Sequence, residues 1–147
     1  MKMPILPYDG PVWRLLPRGL VDVPATGAQA PEGRFHHSGQ IAAYASLTAE
    51  GASVAIQRYL SDGVERVLVS IWLAAARVAD ARGIPSASIV WQDLREAGQV
   101  PPTWAISDSA RHSGAQAMLY SSRSRPELAH VVIFELGCLG SGGCSVR

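Results

Sequence analysis

The sequence predicts an α+β fold: a single compact domain in which mixed β-sheets carry short flanking helices. Three observations lead there. The chain has 147 residues, the size of one ordinary domain. Hydrophobic residues make up 48% of it and charged residues 17%, the balance of a globular rather than a disordered chain. Strand-like and helix-like stretches follow one another without the regular βαβ alternation of a parallel sheet, and no internal repeat is present.

Five prolines (Pro4, Pro7, Pro11, Pro17 and Pro24) punctuate the first thirty residues, where only 12–16 (VWRLL) reads as a strand. A Gly/Pro-rich loop over 26–40 leads into a second strand at 41–46. Thr48 is placed to cap a helix running to residue 60, with Ala52, Ala55, Ile56, Tyr59 and Leu60 on one apolar stripe and Asp62-Gly63 closing it. The β-branched segment 66–78 predicts one long strand or two, and Ile84-Pro85 a loop. A short helix follows at 91–98, stopped by Gly98. A second helix spans 101–114, with Pro102 in its first turn and Gly114 at its end. Strands at 116–122 and 130–136 complete the core, and 137–147 is a Gly/Ser-rich tail.

Charge and composition exclude several function classes. The formal net charge is +1, so no global field recruits nucleic acid or an anionic membrane, and any anionic ligand must be held by locally placed arginines. Lys2 is the only lysine; the other twelve basic residues are arginines, a bias that suits phosphate recognition and that a GC-rich genome also produces. The longest apolar stretch, 67–78, is too short to cross a bilayer. The opening MKMPILPYDG resembles neither a signal nor a transit peptide, so a cytoplasmic location is expected. Cys138 and Cys144 are expected as free thiols, because two cysteines make no disulfide framework and the tail lacks zinc ligands. His36-His37 is a poor metal site, since adjacent residues on an extended chain point opposite ways.

Three stretches gather groups suited to an anionic ligand. Arg34 lies in a glycine-flanked loop, with Tyr44 ten positions later in a strand. The following helix contains Glu50, Gln57 and Arg58. Ser122, Arg123 and Arg125 cluster just past the apolar run of LYSSRSRP. Such arginines can fork onto a pyrophosphate, although the spacing alone favours solvated surface arginines.

The segment GRFHHSGQIAAYASLTAEGASVAI resembles the RES-domain pattern of G-R-[FW]-N-x-x-G, a strand ending in Tyr and a helix beginning near Pro-Glu-x-Ala. TWAISDSARHSGAQAMLYSSRSRP is similar to the W-x-x-G-D-x-A…G…L-Y-P-S-x-R region of that family, and HVVIFEL to its closing strand. With VWRLL the resemblance spans about 12–136. It implies an ADP-ribosyltransferase-like fold, NAD as substrate without a metal, and a role as the toxin paired with a Xre-like antitoxin. The motif arginine, tyrosine and serine fall on Arg34, Tyr44 and Ser122, and Arg14 of VWRLL is a further candidate for the pocket. The chain departs from the family at the glutamate: residues 55–57 hold no carboxylate, leaving Gln57 to hydrogen-bond a ribose and Glu50 as the acid. Glu50 equally suits a first helical turn, where the dipole favours it. His36 replaces the motif asparagine beside Arg34 and is a pocket candidate as well. The resemblance thus implies cleavage of the nicotinamide–ribose bond by Arg34, Glu50 and Ser122, with NAD held by Arg14, Arg34, His36, Tyr44, Gln57, Ser122 and Arg123. Transfer of ADP-ribose to a protein, depletion of NAD by water or phosphate, and an impaired antitoxin-binding module are the alternatives.

Overall fold

The computed structural model describes residues 2–140, apart from the side chains of 58–60. Cys144, most of the tail and the Tyr59–Leu60 end of the apolar stripe therefore lie outside the described residues. Alternating burial shapes the longest elements. In β1 (Ile5–Pro17), Gly10, Val12, Arg14 and Leu16 are buried while the residues between them are part-exposed, the period of two of a strand with one covered face. β1 pairs antiparallel with β3 (Arg66–Asp80), from Ile5↔Ala79 to Pro17↔Arg66.

β1 begins at Ile5, well before the VWRLL stretch that reads as a strand in the sequence. Its prolines are tolerated for local reasons. The ladder shifts register between Leu6 and Tyr8, on either side of Pro7, and β2 (Ala43–Ser46) meets β1 only at Trp13↔Ser46. One edge of β1 is thus open along most of its length, where a missing N–H breaks no ladder bond.

The sheet runs β1-β2-β5-β4-β3-β6, with β4 at Ala117–Ser121, β5 at Ala129–Ile133 and β6 at Leu139–Gly140. The extra β1–β3 pairing closes the first five strands into a ring, and β3–β4 is its one parallel pair. Val12, Ala45, Leu73, Leu119, Val131 and Ile133 belong to one core cluster, which fills the ring. The opposite faces of the same strands supply Met118, Tyr120 and Val132 to a second cluster with Phe35, Ile106 and Ala110. That outer layer is built by the 26–42 loop, the 3-10 turn Pro85–Ser88, and α3 (Pro102–His112).

Helix punctuation follows the sequence closely. The Thr48 hydroxyl accepts the Gly51 N–H at 2.9 Å and caps α1 (Ala49–Ile56). α1 is shorter than its apolar stripe suggests: from Gln57 to Asp62 the chain tightens into a 3-10 helix that delivers it to Gly63, at φ 78°, and into β3. α2 (Trp91–Glu96) is followed by Gly98 at φ 77°, and α3 opens on Pro102 and is followed by Gly114 at φ 86°. The last predicted strand ends at Ile133, because Phe134 and Glu135 both turn their N–H groups to the Gln116 carbonyl. Beyond it Leu139 and Gly140 pair with Leu73 and Trp72, so the ordered sheet reaches into the segment expected to be a tail. No helix among the described residues is long and apolar enough to cross a membrane.

Candidate functional site

Strand register brings together side chains far apart in sequence. Ser46 of β2 stands opposite His130 of β5, and His130 stands opposite Tyr120 of β4. Directly paired residues share a face, so Ser46, His130 and Tyr120 form one row across three strands, with Tyr44, Val132 and Met118 in the next row. All belong to the outer face, beneath the loop that carries Arg34.

The row is buried and polar. The Ser46 hydroxyl and His130 Nδ1 lie 2.7 Å apart, with the two residues 2% and 6% exposed. The His130 and Tyr120 rings lie 5.4 Å apart, and Phe35 meets Tyr120 edge-on at 4.7 Å. Burial, with the positive charge of Arg34, lowers the His130 pKa to about 4, so the imidazole is neutral at pH 7. Burial raises Tyr120 to about 12 and pushes Tyr44 up as well, while Arg34 opposes both shifts. The cations acting on these three groups are Arg34 and Arg111, and no carboxylate is among their charged neighbours.

A relay of hydrogen bonds holds the loop over the row. The Phe35 N–H donates to the Tyr44 hydroxyl at 2.9 Å, and the hydroxyl lies 2.8 Å from His36 Nδ1. His36 Nε2 lies 2.9 Å from the Ala30 carbonyl. One set of protons satisfies every group: Nε2–H donates to Ala30, and the tyrosine O–H to Nδ1. Gly33 makes the turn possible, since a Cβ there would sit 2.3 Å from the His36 ring and 2.9 Å from the Tyr44 hydroxyl. Trp104 Nε1 donates to the Gly33 carbonyl at 2.8 Å, and Trp104 stacks on His37. His37 Nε2 reaches Asp108 at 2.9 Å, as does Gln40 Nε2. Burial works against the Asp108 carboxylate, yet these hydrogen bonds and the Arg111 charge hold its pKa below the usual range. Arg34 emerges from this braced loop with its guanidinium on the carbonyls of Ala87 (3.4 Å) and Ile89.

The other expected residues fall in two places. Glu50, Ser122 and Arg125 meet at the rim: the Arg125 N–H donates to Ser122 Oγ at 3.3 Å, and its guanidinium reaches Glu50 at 3.2 Å and Glu127 at 2.6 Å. Ser122 follows directly on β4, two residues beyond Tyr120, and Gly51 of α1 packs against Ser46, so this rim borders the row. Arg123 and Gln57 are exposed. Arg14 lies on the buried face of β1 with Val12, and its guanidinium donates to the carbonyls of Tyr44 (3.0 Å), Pro24 (2.7 Å) and Thr26 (2.8 Å). Burial lowers its pKa to about 10, which leaves it cationic and bound to backbone carbonyls that brace β2 and the start of the loop. His36 is likewise enclosed by its two hydrogen bonds, at 3% exposure.

Ser46, Tyr120 and His130 are missed by motif reasoning. All three sit inside the stretches that carry the resemblance, but only register shows that they adjoin. An open groove of about 450 Å³ borders 27–31, 39–42 and Leu136; its lining has no charged side chain. Among the described residues no group of three or more His, Cys, Asp or Glu could hold a metal.

The RES domain family matches residues 11–140, and the chain belongs to that family. No curated protein matches the chain significantly. Among solved structures the chain is similar to one in the crystal structure of the M. tuberculosis MbcT–MbcA toxin–antitoxin complex, with 12% identity and a TM-score of 0.51. The likeness covers 88% of this chain and 75% of that one, and it shows a shared fold.

Proposed function

We propose that this protein is the toxin of a toxin–antitoxin pair, and that it binds NAD and breaks the nicotinamide–ribose bond. The observation that carries this reading is the placement of Arg34: a guanidinium on a braced loop, facing a buried polar row that contains no other charge. Such a site suits a pyrophosphate flanked by neutral rings and hydroxyls. The membership in the RES family and the toxin–antitoxin complex seen for the structural relative support the same assignment. An ADP-ribosyltransferase-like fold, a Xre-like antitoxin and a cytoplasmic location complete the proposal.

In the reaction, neutral nicotinamide leaves with the bonding electron pair as positive charge develops on the ribose. Arg34, with Arg123 at the rim, holds the phosphates. Tyr44 braces the Arg34 loop and offers a ring face. Ser122 and Gln57 are the proposed contacts to ribose hydroxyls. Glu50 is the carboxylate that stabilises the sugar cation once Arg125 releases it. Arg14 and His36 act from behind, by holding the strand and loop in place. With no carboxylate in the buried row, turnover of free NAD is slow, which favours transfer of ADP-ribose to a scarce protein over bulk depletion.

The test is incubation of the purified protein with cell extract and NAD labelled on the adenylate or on the nicotinamide. Released nicotinamide with a labelled protein band is the expected result. Released nicotinamide with free ADP-ribose or its phosphate replaces transfer by depletion. No release from a protein that still binds a Xre-like partner leaves a binding module and ends the enzymatic reading.

A further inference from the structure

Beyond the residues that the family pattern singles out, the buried row holds a histidine–serine pair that no motif assigns. We infer that His130 is a ligand-contacting residue: its Nε2–H, fixed in that tautomer by the Ser46 hydroxyl, donates a hydrogen bond to a pyrophosphate oxygen beside Arg34. This rests on the proposed NAD site and names a further part of it.

Ser46 sets the state of the ring. The residue is 2% exposed, and among the described residues His130 Nδ1 is the hydrogen-bond partner of its hydroxyl, at 2.7 Å. A buried O–H without an acceptor is costly, so the arrangement that satisfies it has Ser46 donating to Nδ1. A neutral imidazole that accepts at Nδ1 carries its proton on Nε2. Neutrality follows from the surroundings: burial first and the facing Arg34 cation second disfavour a charged ring, and Tyr120 beside it stays protonated. His130 therefore presents a donor, not a base.

That donor has no protein acceptor among the described residues. The fully buried side-chain polar atoms that lack a partner are Thr103 Oγ1 and Arg111 NH1, and neither His130 Nε2 nor the Tyr120 hydroxyl is among them. Both atoms must therefore touch solvent, although their residues are only 6% and 7% exposed. Two nearly enclosed side chains thus each leave one polar atom without a protein partner, on the face that Arg34 overlooks. A cation and an N–H donor together suit an acceptor-rich anionic group, whereas a developing sugar cation is repelled by the one and gains nothing from the other, and a neutral ribose hydroxyl leaves the Arg34 charge without a counter-charge. The phosphates of the dinucleotide are such a group.

The experiment combines a spectroscopic and a binding arm on the full chain. Long-range ¹H–¹⁵N spectra of the wild type report the tautomer directly, and the expected pattern is Nε2–H for His130, with no protonation above pH 5. An Nδ1–H pattern overturns the inference before any variant is made. In the binding arm, NAD and ADP-ribose are titrated into wild type, His130→Gln, His130→Phe and Ser46→Ala, each checked for an intact fold by circular dichroism. His130→Phe is expected to weaken both ligands roughly ten- to hundredfold, the scale of one hydrogen bond to a charged acceptor. His130→Gln, which keeps a side-chain N–H donor, recovers part of that loss. Ser46→Ala keeps the ring but mixes its tautomers, and is expected to weaken both ligands several-fold with Nδ1–H signals appearing. If His130→Phe does not fold, Ser46→Ala and His130→Gln carry the binding arm by themselves. Loss confined to NAD places His130 on the nicotinamide half and overturns the phosphate assignment. Unchanged binding in folded His130 and Ser46 variants, with binding lost in Arg34→Ala, overturns the inference alone. A wild type that binds neither ligand overturns it together with the proposed function.

Discussion

The buried row and the rim that borders it solve opposite electrostatic problems. Ser46, His130 and Tyr120 are nearly enclosed, neutral, and overlooked by the Arg34 cation; Glu50 and Glu127 are exposed, and both pair with the half-exposed Arg125. Burial makes the row sensitive, because the Ser46–His130 bond is nearly enclosed and little solvent can replace it. At the rim, solvent screens the charges and an ion pair can open without structural cost. In the proposed function the row and Arg34 hold the enclosed part of the ligand, the rim adds contacts, and the acid that acts on the sugar comes from the rim.

The harshest test of this division is Arg34→Ala. It is expected to abolish growth arrest and weaken NAD binding on the order of a hundredfold, the scale of lost charge-assisted bonds to phosphate. The fold should persist with a lowered melting temperature, from the lost bonds to Ala87 and Ile89, and growth arrest at equal expression would remove Arg34 from the site. Glu50→Gln separates the two regions next. NAD affinity is expected to hold while nicotinamide release falls on the order of a hundredfold, as when one charge that stabilises a transition state is lost. Full activity in this variant would leave the rim as a brace only.

Tyr44→Phe tests the brace behind the row. Removing the hydroxyl leaves the Phe35 N–H and His36 Nδ1 unpaired, at about 1–3 kcal/mol of stability measured by denaturant unfolding. An unchanged midpoint would mean that the loop stands without its relay. Ser122→Ala should cost less, about 0.5–1.5 kcal/mol in NAD affinity, the net worth of one neutral hydrogen bond. An unaltered affinity and rate would take Ser122 out of the site.

Acid titration is the mildest probe. The folded-state pKa of His130 is about 4, below the ordinary histidine value of 6.5, so the unfolded chain binds the extra proton between them. Its contribution to stability is complete above about 6.5 and is lost as the pH falls towards 4. Arg34 and Tyr120 are the charged and titratable groups set against the ring, and neither changes protonation in that window. Unfolding followed from pH 7 to pH 4 should therefore show a slope that His130→Phe reduces. Equal slopes in both proteins would place His130 in a solvated environment.

Local chemistry made much of the architecture legible. Thr48, Pro102, Gly98 and Gly114 mark helix ends through short-range geometry, and β-branched alternation from residue 66 foretells β3. Arg34 and Tyr44 are readable because a motif carries them at fixed spacing. Burial and pairing partners are not local quantities. Arg14 and His36 look like pocket residues in the sequence, yet the fold gives their polar atoms to backbone carbonyls and to Tyr44. β1 extends through two prolines because one edge is left open, and Leu139 joins the sheet because β3 offers it a partner.

The sequence by itself determined the α+β class, the helix starts and the family, since these depend on residue type and short spacing. Tertiary structure alone decided that Ser46, Tyr120 and His130 stand in one row. A strand's alternation shows which residues share a face, but register is set by how whole strands bury their faces together. The pairing of positions 46, 130 and 120 exists only once the ring has closed.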